Sequence, residues 1–340
     1  MSSLRSHQLP STKVASAFGE VNVTDSAAGR QVRLTILMEP VDEEGWQTGV
    51  ALDGSATMKG WYGKALSGKV PPQIAEQYLE KGWIVRRVQD GKSLQIYQKQ
   101  AYDDAIQRGY LKMTENIVQP TAREFITYLA EKLDADGGTT VIYWACGNGA
   151  ELEEIGDFTA DQCKSIVLSG PVKVPFGNGT HLLPALQYFA SRFQDAQNGM
   201  YVFLTDGRLD DLEDVKQFTH TLAQEIQAGG RRPMKCVLVG IGNAVDESQM
   251  EELDDLDTGT SVDIWDHKIA REMRDIREIF AEVVSENTIV ASTARILDHA
   301  GKVAALYSDG LPALVEFTLP PNCPWFDLDV EGQCIRQTLE

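Results

Sequence analysis

Val50-Ala51-Leu52-Asp53-Gly54-Ser55-Ala56-Thr57 is an apolar run that stops at an acid, a glycine and two spaced hydroxyls. The run is too short for a helix and ends in turn chemistry, as a buried parallel strand does. Similar runs recur at 140–145, 201–204, 235–241 and 262–265, each rich in β-branched or aromatic residues. Between them lie stretches with helical spacing. Residues 121–133 carry apolar positions at Ala122, Phe125, Ile126, Leu129 and Leu133, with Thr121 and Glu124 at capping-box spacing. Residues 182–193 repeat the pattern, Leu212, Val215, Phe218, Leu222 and Ile226 make a third stripe, and Met273, Ile276, Ile279, Phe280 and Val283 a fourth. Strand–helix alternation predicts an α/β fold, a doubly wound and mostly parallel sheet with right-handed crossovers.

Outward from this core the pattern changes. Residues 1–13 read as a flexible tail. Two alternating stretches, 20–24 and 31–37, flank a small-residue turn and predict a hairpin. The segment 40–44 reads as an acidic linker. After 286 the chain turns β-like again at 302–307, 314–318 and 325–330. Residues 14–43 and 287–340 are therefore expected to form one small β-sandwich from both chain ends, beside an α/β domain over 44–286. Residues 59–118 interrupt that domain as an insertion, with a helix at 73–79 and a hairpin around Asp90-Gly91.

The 340 residues carry 31 Lys and Arg against 50 Asp and Glu, a formal charge of −19. Such a balance repels phosphate backbones and anionic lipid, which disfavours nucleic-acid and membrane-surface roles. No apolar run approaches the roughly 18–20 residues that span a bilayer, and the first thirty lack a secretory apolar core. Cys146, Cys163, Cys236, Cys323 and Cys334 are scattered without metal-ligand or disulfide spacing. These features predict a cytoplasmic chain with reduced thiols.

The chemistry-bearing residues sit at expected strand ends: Asp53, Ser55 and Thr57, then Gly177-Asn178-Gly179-Thr180, then Thr205-Asp206-Gly207. Two carboxylates and three hydroxyls form an all-oxygen set suited to Mg²⁺ or Mn²⁺, which keep waters and leave room for an outside ligand. Asp53 or Asp206 taken singly could equally cap a helix or a turn. Trp61 and Tyr62 read either as an exposed recognition patch or as packing. The acids Asp210, Asp211, Glu213 and Asp214 read as the favourably charged start of a helix. Cys146-Gly147-Asn148-Gly149 and Gly240-Ile241-Gly242 lack the third glycine of a dinucleotide fingerprint and read as strand-end turns.

Asp53-x-Ser55-x-Thr57, Thr180 and Asp206, in that order, resemble the metal-ion-dependent adhesion site of von Willebrand factor A domains. The resemblance spans about 45–285, with Thr57 where the family usually has Ser. It implies a non-enzymatic module: Asp53, Ser55, Thr57, Thr180 and Asp206 hold Mg²⁺ or Mn²⁺, and a carboxylate from a protein partner completes the coordination. It also allows a stress-response setting, beside an AAA+ ATPase or a tellurite-resistance-type protein. The alternative is a haloacid-dehalogenase-like phosphotransferase with Asp53 as nucleophile, although Ser55 stands where that family carries its second acid.

Overall fold

The computed structural model describes residues 5–38, 46–89, 92–193, 196–242, 245–271, 273, 276–277 and 289–339. Strands β1 (Arg5–Gln8), β2 (Phe18–Asp25) and β3 (Arg30–Ile36) open the chain. The stretch read as a tail thus contributes a strand, since β1 pairs antiparallel with β2. Ser26 closes the β2–β3 turn, its hydroxyl donating to the Gly29 carbonyl at 2.9 Å.

A six-stranded sheet follows. It is built from β4 (Trp46–Asp53), β9 (Gly138–Cys146), β10 (Glu151–Thr159), β11 (Asn198–Thr205), β12 (Met234–Gly240) and β13 (Trp265–Ile269). The spatial order is β10-β9-β4-β11-β12-β13. Neighbours are parallel from β9 to β13, and β10 runs antiparallel to β9. Side chains alternate across β4: Val50 and Leu52 join one apolar cluster, and Ala51 joins another. Helix α3 (Val118–Lys132) packs on the first side, while α5 (Leu183–Arg192) and α6 (Leu212–Gln227) pack on the second. The start of α3 departs from the capping-box expectation. Asn116 Oδ1 accepts from Gln119 N at 3.0 Å, and Thr121 lies inside the helix with its hydroxyl on the Ile117 carbonyl. Two short helices, α4 (Ala160–Cys163) and α7 (Glu247–Asp254), follow β10 and β12. The fourth expected apolar stripe falls largely outside the described residues, as do the acidic linker and the Asp90-Gly91 turn.

Between β4 and α3 lies the insertion. Its two small antiparallel sheets are β5 (Leu66–Gly68) with β8 (Leu111–Met113), and β6 (Ile84–Gln89) with β7 (Lys92–Tyr97). Helices α1 (Pro72–Glu80) and α2 (Lys99–Gln107) bury Tyr78, Ile84, Ala101 and Ala105 in a core of their own.

Beyond 288 come β14 (Ile289–Ala291), β15 (Ala294–Asp298), β16 (Val303–Tyr307), β17 (Leu311–Pro312), β18 (Leu314–Leu319), β19 (Trp325–Val330) and β20 (Gln333–Thr338). β18 pairs antiparallel with β3, so the N-terminal hairpin and the C-terminal segment share the sheet β1-β2-β3-β18. The sheet β16-β15-β19-β20 lies against it: Phe326 of β19 contacts Phe18 of β2 and Phe317 of β18, at ring-centroid distances of 5.8 and 5.1 Å.

The doubly wound, mostly parallel α/β class expected for this chain is therefore corrected. Among the described residues twenty strands stand beside seven α-helices, in several small antiparallel sheets and one mixed sheet. The residues that mislead are those of β10, Glu-Leu-Glu-Glu-Ile-Gly-Asp-Phe-Thr, whose charges suit an edge strand and hide it from an apolar-run criterion. It turns back on β9 through Gly147 and Gly149, whose φ angles of 59° and 96° favour glycine.

Candidate functional site

β4 and β11 lie side by side and parallel, with Leu204 opposite Leu52, so Asp53 and the Thr205-Asp206-Gly207 turn leave the sheet at the same edge. The loop after β4 is held from two sides. Gly54 N donates to the Trp144 carbonyl at 2.7 Å, and Ala56 N donates to the Gly177 carbonyl at 2.8 Å. Gly177 N returns a bond to Gly54 O at 2.9 Å, which seats the 177–180 loop beside Ser55. Only glycine fits at 177, because a Cβ there would stand 1.9 Å from the Ala145 carbonyl oxygen.

Asp53 is fully buried. Its Oδ1 accepts from Ser55 N at 2.7 Å and its Oδ2 from Thr205 Oγ1 at 2.6 Å. Burial pushes its carboxyl up to about 7; the Thr205 and Ser55 bonds oppose that rise, and the Asp206 charge adds to it. Ser55 Oγ lies 2.9 Å from Thr57 Oγ1, which donates to Asp206 Oδ1 at 2.8 Å. Trp61 Nε1 donates to Asp206 Oδ2 at 2.7 Å. Asp206 is also raised, by burial first, against the Thr57 and Trp61 bonds. Thr57 is the exposed member of this chain of contacts.

Thr180 joins by proximity. Its Oγ1 and Thr57 Oγ1 lie 3.8 and 4.0 Å from the point where a Cβ on Gly207 would stand. Its loop is braced by two acids: Asp210 Oδ2 accepts from Thr180 N, and the carboxylate of Asp211 accepts from Leu182 N and Leu183 N, each at 2.9 Å. Asp210 and Asp211 thus position the loop as well as opening α6. Asp53, Ser55, Thr57 and Asp206 form one connected set, with Thr180 at its rim.

Sequence reasoning left three contributors out of the site. Thr205 grips Asp53, and its place in Thr205-Asp206-Gly207 is the signal that marks it. Tyr62 is buried, its hydroxyl donating to the Asp53 carbonyl at 3.0 Å. Trp61 is neither a free patch nor plain packing, since its ring lies against Gly242 while its N–H holds Asp206.

The residues present fit a hard divalent ion. Two adjacent buried carboxylates repel each other, and among the described residues no Lys, Arg or His pairs with either. Buried anions normally carry such a partner. The donors are all oxygen, as Mg²⁺ and Mn²⁺ prefer.

No family model matches the chain, and no curated protein matches it. Among solved structures it is similar to the pilus adhesin SpaC from Lactobacillus rhamnosus GG, at 9% identity and a TM-score of 0.35 over 99% of this chain and 47% of that one. An open-conformation crystal structure of SpaC gives 10% identity, a TM-score of 0.33 and coverage of 99% and 46%. The chain spans about half the length of those adhesin chains. The expected description as a metal-binding, von Willebrand factor A, stress-response protein is corrected at its metal centre: among the described residues no group of three or more His, Cys, Asp or Glu is placed to hold a metal, so the candidate set rests on two carboxylates and three hydroxyls. Among the described residues no helix is long and apolar enough to cross a membrane.

Proposed function

We propose that the chain is a protein-interaction module in which Asp53, Ser55, Thr57, Thr180 and Asp206 take one Mg²⁺ or Mn²⁺. An Asp or Glu of a protein partner then completes the ion's coordination. The observation that carries this reading is the continuous path Ser55–Thr57–Asp206 beside the buried Asp53, with which no Lys, Arg or His pairs among the described residues. Held by these residues, such an ion would supply a Lewis-acidic point for an outside carboxylate. Thr205, Tyr62 and Trp61 keep the two acids in place, and Asp210 and Asp211 hold the Thr180 loop. The resemblance read from the same five residues points the same way.

The chain's net charge of −19 favours a partner surface with Lys or Arg around that carboxylate. The reading is non-enzymatic. A haloacid-dehalogenase-like phosphotransferase carries a second acid two residues after its nucleophile, and Ser55 stands at that place after Asp53. Placement in the cytoplasm belongs to the same reading and is supported by five unpaired cysteines, four of them buried.

Affinity capture with the intact chain as bait, in Mg²⁺ and in excess chelator, tests the proposal. Partners should be retained only with the ion and lost with Thr180→Ala. Retention that ignores chelator would overturn it.

A further inference from the structure

A second surface, independent of the cation site, stands on the insertion. Of the twelve exposed large apolar side chains among the described residues, eight fall within 59–118. The same segment holds ten Lys and Arg against six Asp and Glu, in a chain of net charge −19. Apolar exposure and positive charge are thus concentrated in one small module, the combination that marks a contact face rather than a solvated one.

The hairpin β6–β7 gives that face its geometry. Val85 is directly opposite Ile96, and Arg87 opposite Leu94. Side chains alternate along a strand, so Val85, Arg87, Leu94 and Ile96 share one side of the ribbon. The other side carries Ile84 and Tyr97, which pack with Tyr78 and Ala101 in the insertion's own core. Val85, Leu94 and Ile96 are 48%, 44% and 40% exposed. Among the described residues β6 pairs only with β7, so its outer edge offers backbone donors and acceptors to another strand. The middle of that edge is Arg86-Arg87, one guanidinium on each side of the ribbon.

We propose that the β6 edge binds an extended acidic segment of a protein partner by strand addition. Two adjacent carboxylates of the segment meet Arg86 and Arg87, and its flanking β-branched residues cover Val85 and Ile96. Main-chain bonds give such a complex its affinity, and side-chain pairing across the strands gives its selectivity. A second copy of this chain is the wrong occupant. Antiparallel pairing of two β6 edges would set arginines against arginines, and like charges directly opposite destabilise a ladder.

Fluorescence polarisation with the intact chain tests this, using a labelled peptide of about ten residues centred on Val-Glu-Glu-Val. Two controls are needed: the Val-Lys-Lys-Val counterpart, and the acidic peptide N-methylated on alternate amides. The acidic peptide should bind at least about tenfold more tightly than either control, and its affinity should fall with salt. Arg86→Glu with Arg87→Glu should invert the preference, and Val85→Ser with Ile96→Ser should weaken both peptides, with circular dichroism melts confirming that each variant folds. Equal affinity for all three peptides, no binding of any, or an acidic preference that survives charge reversal would overturn the proposal. So would sedimentation showing a concentration-dependent dimer that Val85→Ser dissolves, because the occupant would then be a second copy.

Discussion

Trp61 donates its indole N–H to Asp206 Oδ2 at 2.7 Å, and its backbone carbonyl accepts from Ile117 N at 2.9 Å and from Val118 N at 3.4 Å. One residue therefore joins a site carboxylate to both ends of the insertion. Trp61→Phe removes the donor together with the benzo edge of the indole that meets Gly242. It should lower the stability of the metal-free protein by about 1.5–3 kcal/mol, as for other hydrogen bonds to a charged group. It should also raise Mg²⁺ affinity several-fold, because Asp206 Oδ2 is no longer tied. Thermal melts and titration calorimetry read the two effects separately, and a variant unchanged in both would show the bond to be incidental.

Protons and the cation compete at Asp53. Its folded carboxyl stands at about 7 against an ordinary 3.8. The folded state therefore holds this proton more tightly than the unfolded state. Stability of the metal-free protein from this group is greatest below about pH 4, falls as pH rises towards 7, and is level above that. Mg²⁺ affinity should run the other way, rising by up to about tenfold per pH unit below 7 and flattening above it. Calorimetry in buffers of different ionisation enthalpy should register close to one proton released per ion near pH 6. Affinity independent of pH from 5.5 to 8 would contradict the role given to Asp53.

Asp53→Asn separates folding from binding. The amide keeps an acceptor for Ser55 N and removes the repulsion with Asp206. The metal-free variant should be as stable as the parent or more so at pH 8, by about 1 kcal/mol, since it no longer buries an unpaired charge. Added Mg²⁺ should leave its melting temperature unchanged. For the parent, ion at ten times its Kd should add about 1.4 kcal/mol, a rise on the order of 2–4 °C per kcal/mol.

Gly177→Ala tests the loop that carries Thr180. A Cβ 1.9 Å from Ala145 O forces the 177–180 loop away from Ser55. Overpacking of this kind costs about 1–3 kcal/mol. The variant should melt lower and bind Mg²⁺ more weakly, while the insertion's β6–β7 hairpin keeps its peptide affinity. Unaltered ion binding would show that the loop does not contribute.

The strands that carry the site were legible because their residues are apolar on both faces: Val50-Ala51-Leu52 and 201–204 lie within β4 and β11. β10 was not, since an edge strand with a solvated face shows charges where the period should be. β13 begins at Trp265, where the expected strand ends, because Val262 lies in the turn held by Thr258 and Thr260. At the site, Asp53 and Asp206 could be named from motif order alone. Trp61 and Tyr62 could not, because nothing in a sequence says which aromatic edge will meet a carboxylate once two strand ends converge.

Titration of Mn²⁺ into the intact chain at pH 8, followed by the paramagnetic resonance of the free ion, tests the cation site most directly. The parent should take up one ion, Mg²⁺ should displace it, and Asp206→Ala should take up none while melting cooperatively. Full occupancy in Asp206→Ala, or no uptake by the parent, would contradict the site.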